Sequence, residues 1–176
     1  MGFAASTNVN GVLLNQAIPS VEQGGAIYRL WNSGTIGSEY FLVENRQRTG
    51  YDIGLPSSGL LVWHIDDNKL SLTNPNDQEW YPGLPAANHS LVALEQADGL
   101  YELEHNVDAG DSGDPYPGTT SNTAFNSAST PTSNSYLSGS TSVQITNISA
   151  SSSTMHADLI VTISSGTDDP DQGTLP

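Results

Sequence analysis

Residues 38–67, SEYFLVENRQRTGYDIGLPSSGLLVWHIDD, decide the fold. The stretch reads as strand, loop, strand. In the first run Tyr40, Leu42 and Glu44 alternate with Phe41, Val43 and Asn45, so both faces are apolar until the acid at 44. A strand apolar on both sides is ordinarily covered on both sides. The second run, Leu60 to Ile65, repeats that character and ends in Asp66 and Asp67. Between them, Gly54, Pro56 and Gly59 supply the fixed and unusual φ values that turns require. The two runs are therefore expected as a central antiparallel pair.

Working outward, Gly11 to Ile18 reads as a strand ended by Pro19, and Ala26 to Trp31 as a second strand rich in large residues. Ser90 to Ala97 returns to strand character before the turn signal Asp98-Gly99. Leu100 to Glu104 fits a short strand or a helical turn. Ser142 to Ile148 is a further strand. Met155, Ala157, Leu159, Val161 and Ile163 alternate with more polar positions, as in a strand with one buried face. No segment carries sustained helical periodicity. The expectation is an all-β antiparallel β-sandwich, jelly-roll-like, with long metal-organised loops. Its bounds are 11–165, after a ragged lead-in over 1–10 and before an acidic linker stub over 166–176.

Composition narrows the partners. The chain has 176 residues and a formal charge of −15, with only four Lys and Arg against nineteen Asp and Glu. Nucleic acid and anionic membrane surfaces both require a basic face, so neither is expected as a partner. No run is long enough to insert in a membrane as a helix. With no cysteine, disulfide scaffolds and thiolate metal sites are excluded. An acidic, Cys-free chain rich in Ser, Thr, Asn and Gly suits a secreted, extracellular bacterial protein. Met1-Gly2-Phe3 does not open a signal peptide, so the expected signal lies upstream and the chain reads as an excised piece.

The motifs of catalysis are missing. His64 is followed by Ile-Asp-Asp-Asn, so there is no HExxH, and there is neither GxSxG nor a Walker loop. Trp63 and His64 read as a core Trp and a hydrogen-bonded core His. Glu44, Arg46 and Arg48 read as an ion-pair cluster that fixes a strand.

Residues 106–139 are a different matter: more than thirty positions with almost no apolar material need something to organise them. Within them Asp108, Asp111 and Asp114 recur at even spacing with glycines between. Calcium takes six to eight oxygens from carboxylates, carbonyls and waters, which such a loop supplies, with Asp98 or Glu95 as an outside ligand. The alternative is a solvated acidic turn. Trp80, Tyr81 and Trp31 are candidates for an aromatic platform that stacks on sugar, or for residues that plug loops onto the sheet.

Four spaced segments carry a resemblance. The stretch EYFLVENRQRTGYDIGLPSSGLLVWHIDD, then HSLVALEQADG from His89, then GDSGDPYPG from Gly110 with VQITNIS from Val143, is similar to the region after the zinc-binding segment of immune inhibitor A-type secreted bacterial metallopeptidases. The resemblance runs in order from about Gly11 to Ile163. It implies a zinc metallopeptidase parent whose HExxH segment precedes residue 1. It implies, for this chain, a calcium-stabilised domain without catalysis of its own, with the parent's catalytic domain as partner; zinc belongs only to the upstream region. The runner-up is a carbohydrate- or surface-binding module, with polysaccharide as partner.

Overall fold

A computed structural model describes residues 5–71 and 80–162. Eight strands run in chain order as β1 (Ser6–Asn8), β2 (Gly11–Pro19), β3 (Ile27–Trp31), β4 (Glu39–Arg46), β5 (Gly59–Asp66), β6 (Val92–Leu94), β7 (Val143–Thr146) and β8 (Thr154–Val161). They form two sheets: five strands in the order β1-β3-β4-β5-β6, and three in the order β2-β8-β7. The described residues contain only short 3-10 turns besides. The all-β, two-sheet sandwich expected from the alternation is what forms. Its larger sheet is a meander from β3 to β6, simpler than a jelly-roll-like order.

The central pair is β4 and β5, antiparallel in continuous register from Glu39 opposite Asp66 to Arg46 opposite Gly59. That register puts Phe41, Val43, Leu60 and Val62 on the inner face, all without solvent exposure. Leu30 of β3 joins them. The smaller sheet faces them with Ile18, Met155, Leu159, Val161 and Ile145, equally buried. The outer face is only half-covered: Leu42, Leu61 and Trp63 keep partial exposure, so the expectation of full burial on both faces, and of Trp63 as a core residue, is corrected. Trp63 instead donates its indole N–H to Glu44 Oε1 at 3.1 Å.

Part of the lead-in joins the larger sheet. Ser6–Asn8 pair in parallel with Ile27, Tyr28 and Arg29, and Val9 is fully buried. Three small polar residues give no apolar alternation, so the edge strand exists because β3 offers its backbone groups. Residues 163–176, including Ile163 and the expected linker stub, lie outside the described residues.

The long apolar-poor segment is held by its few aromatics. Tyr116 exchanges backbone hydrogen bonds with Leu60 (3.0 and 2.9 Å), and Phe125 does so with Ile145 (2.7 and 2.8 Å). Both rings are fully buried. Gly59 allows the first approach, since a Cβ there would lie 2.4 Å from the Tyr116 carbonyl oxygen. Asn122 donates to Ala97 O at 2.7 Å and Ser133 to Val143 O at 2.7 Å, so side chains replace the missing ladder. Most of this segment is thus organised by protein contacts, which leaves only its first part for a metal.

Candidate functional site

The acidic loop follows β6. Gly99, in the left-handed region (φ 70°), turns the chain, and residues 101–106 form a tight turn closed by His105 N–H donating to Tyr101 O at 2.9 Å. This turn brings Glu102 beside Asp98. The following loop returns Asp111 to the same place. One carboxylate oxygen from each of Asp98, Glu102 and Asp111 lies within 4.8 Å of the others. Gly113 makes the convergence possible: a Cβ there would stand 2.0 Å from Asp98 Oδ2 and 3.0 Å from Asp111 Oδ1.

No Lys, Arg or His among the described residues pairs with any of the three. The electrostatic cost shows in the protonation. Partial desolvation, with Asp108, Asp111 and Asp98 close by, raises the Glu102 carboxyl. Asp114 is pushed up to about 6, first by burial and then by Asp111, Asp98 and Asp108. A hard cation at the triplet would reverse these shifts, and an all-carboxylate donor set matches calcium's oxygen preference.

Of the five expected ligands the structure brings two together, Asp98 and Asp111. The other three lie outside the triplet. Asp108 Oδ1 accepts the Gly110 N–H at 2.8 Å, an Asx turn outside the triplet. Asp114 is buried and its Oδ2 accepts the Asp111 N–H at 2.7 Å, which braces the loop from beneath. Glu95 belongs to another cluster altogether. Glu102 is the member of the triplet that sequence reasoning missed; its signal was the Gly99 turn, which folds position 102 back toward 98.

Glu95 points inward to His64. Glu95 Oε1 lies 3.0 Å from His64 Nδ1, and Glu39 Oε1 lies 3.0 Å from Nε2. A neutral imidazole can donate from only one nitrogen, so carboxylates at both require the imidazolium. Burial alone would lower the His64 pKa, but the hydrogen bonds it donates to Glu39 and Glu95 raise it. For Glu39 burial pushes upward, and the His64 and Ser135 hydrogen bonds overcome it to hold the carboxyl at about 2. Tyr136 stacks between His64 (4.1 Å between centroids, 11°) and His89 (3.9 Å, 12°). His89 in turn holds Asp66 Oδ2 through Nε2 at 2.8 Å. His64 is thus the hydrogen-bonded core histidine that was expected, with Glu39 and Glu95 as its partners.

The aromatic candidates do not form one platform. Trp31 is buried, its N–H on Asn8 Oδ1 at 3.2 Å and its ring against Tyr40, so its place in an exposed platform is corrected. Tyr81 packs on His105 at 4.0 Å. Trp80 meets Tyr136 edge-on at 5.1 Å and, with Tyr101 and Tyr136, walls a cleft of about 410 Å³ floored by His64 and Glu95. The expected ion-pair cluster forms in part: Arg46 binds Glu44 at 3.1 Å and Asp52 at 2.8 Å, while Arg48 turns to the Ile53 carbonyl. No family model matches the chain, and no curated protein matches it.

Proposed function

We propose that this chain is a non-catalytic β-sandwich module, stabilised by calcium, that packs on a partner domain. On the resemblance above, that partner is the catalytic domain of a secreted zinc metallopeptidase of the immune inhibitor A type. The observation that carries the calcium reading is the convergence of Asp98, Glu102 and Asp111 without a cationic partner. Three carboxylates so close repel by about 1 kcal/mol per pair even in a watery environment, and more where the loop excludes solvent. A divalent cation turns that repulsion into the force that orders the loop.

The test is thermal unfolding of metal-stripped protein in calcium and in chelator. At a hundred times Kd a ligand of the folded form adds about 2.7 kcal/mol. For a chain of this size that raises Tm by roughly 5–11 °C, at about 2–4 °C per kcal/mol. Asp98→Asn and Asp111→Asn should blunt the response, and magnesium should replace calcium poorly because it demands tight octahedral geometry. Identical melting curves in calcium and chelator would refute the metal. The metallopeptidase parent is tested by the coding sequence upstream of residue 1, where a zinc motif is expected. Peptidase activity of the isolated chain toward casein with added zinc would overturn the non-catalytic reading.

A second reading, a carbohydrate- or surface-binding module, draws on the cleft walled by Trp80, Tyr101 and Tyr136. Wild-type retention on an insoluble polysaccharide, lost in Trp80→Ala at unchanged Tm, would favour it over packing.

A further inference from the structure

We infer that the outer face of the larger sheet carries a docking groove for a polypeptide segment that presents apolar side chains flanked by Lys or Arg. The inference rests on the reading of the chain as a module that packs on a partner, and it names the face and the chemistry of what it takes. The groove encloses about 410 Å³. Its floor is Leu61 and Trp63 of β5 with Leu94 of β6, all partly exposed because the smaller sheet covers only the opposite face. Leu55 and Leu103 stand as its two walls, carried by the β4–β5 connection and by the turn after Gly99. That volume holds two or three side chains, and an apolar floor ringed by charge is the usual anatomy of a protein contact.

The rim decides the occupant. Exposed Asp111 edges one side, with buried Asp114 beneath it, and Arg46, paired with buried Glu44, edges the other. Arg46 does not balance the acids, because Glu44 (3.1 Å) and Asp52 (2.8 Å) both claim its guanidinium. Asp98 and Glu102 add negative charge behind Asp111, and since a calcium ion there would cancel two of the three charges, the pull on basic residues is strongest in calcium-free protein. An acidic rim around an apolar floor accepts basic residues at the edges and aliphatic or aromatic ones in the centre. The exposed indole face of Trp63 would favour a cation beside it.

A second copy of this chain does not meet that description. Each copy carries −15 and has four basic residues in all. Arg46 is paired, Arg29 lies over Trp31 and Tyr40, Arg48 holds the Ile53 carbonyl, and Lys69 donates to Ala87 O at 2.6 Å. Two copies at −15 each would repel, so the occupant is a segment outside this chain that brings its own basic residues.

The experiment uses the full chain stripped of calcium and three fluorescein-labelled peptides: GKKLFLKKG, its charge-swapped form GEELFLEEG, and the apolar-free GKKSGSKKG. Anisotropy should give GKKLFLKKG an affinity at least tenfold above both others, with amide shifts confined to Leu61, Trp63 and Leu94. Leu61→Gln, at a half-exposed position where glutamine folds in place, should weaken that binding at least tenfold. Leu137→Gln on a distant exposed site should not. Equal binding of the apolar-free peptide, or binding indifferent to Leu61→Gln, would overturn the groove, as would a dimer in sedimentation that Leu61→Gln breaks. Peptide binding with a calcium-insensitive melt leaves the groove standing and removes the calcium reading. A calcium-sensitive melt with no peptide binding does the reverse.

Discussion

Replacing His64 by Phe isolates the electrostatic part of the core. The ring is 1% exposed and stacks on Tyr136 while leaning on Phe41 at 4.3 Å, so a benzyl group fills the same space. What disappears is the positive charge between Glu39 and Glu95, each bound at 3.0 Å. Removing one partner of a buried ion pair costs about 3–5 kcal/mol, because the remaining charge has no counterpart and little water. At about 2–4 °C per kcal/mol for a domain of 150–250 residues, Tm should fall by roughly 6–20 °C. The assay is calorimetry at pH 7. A triple variant that adds Glu39→Gln and Glu95→Gln should recover at least half of the loss, since amides are far cheaper to bury than unpaired carboxylates. Glutamine at 39 can still accept the Tyr136 N–H, which Glu39 Oε1 takes at 3.1 Å. A fall below about 3 °C, or a triple variant no better than the single, would refute the charge argument and assign the effect to packing.

Gly113→Ala should leave the calcium-free melt nearly unchanged, because its Cβ collides with the movable end of Asp98, yet weaken calcium binding at least tenfold by calorimetric titration. Gly59→Ala meets the Tyr116 backbone instead and should lower Tm sharply with or without calcium. Asn45 is fully buried and donates to Ile18 O at 2.9 Å and Ser152 O at 3.0 Å, joining the two sheets; Asn45→Ala should cost about 1–3 kcal/mol in urea unfolding for the acceptors left bare. Calcium-free stability should depend on pH through two opposed carboxyls, read by chemical denaturation from pH 2 to 8. Glu39, held at about 2 against 4.5 unfolded, contributes stability that is present above 4.5 and lost as pH falls toward 2. Asp114, at about 6 against 3.8 unfolded, binds a proton in the fold that the unfolded chain has released, so stability falls as pH rises from about 4 to 6, and Asp114→Asn should lessen that fall, leaving the smaller part due to the raised Glu102 and Glu104.

The sequence is most legible where side chains alternate. Phe41 and Val43, and Met155 through Val161, announce their faces because burial acts on every second residue. It is least legible where contacts come from elsewhere in the chain. Ser6–Asn8 are polar and join a sheet only because β3 lies beside them. Tyr116, Phe125 and Tyr136 look like stray aromatics in a Ser- and Asn-rich run, yet each anchors the loop, two of them by backbone exchange with strands. Counting apolar residues undervalues such anchors; their isolation among turn residues was the signal. The site shows the same division. Local spacing pointed to Asp111 and to Asp98 across the turn, but it could not separate Glu95 from Asp98, three positions apart. Glu95 continues the β6 ladder, its N–H on Val62 O at 2.9 Å, and that pairing aims its side chain at His64.

The chain solves one electrostatic problem in two ways. With nineteen acids and four Lys and Arg, most carboxylates must find something other than an internal base. In the core, where Glu39 and Glu95 lose most of their water, histidine takes the place of Lys or Arg and is held charged by the carboxylates on both sides. The price of that arrangement is covered by geometry: two hydrogen bonds, a stacked Tyr136, and a backbone N–H on Glu39. At the loop, Asp98, Glu102 and Asp111 converge as closely but bring no cation, and the backbone has been shaped, through the missing Cβ of Gly113, to let them approach. Like charges held together without compensation drive a loop apart unless a counter-ion binds. The core needs no external ion because it contains its own. The loop lacks one, and that contrast is the reason for placing the proposed calcium there and nowhere in the interior.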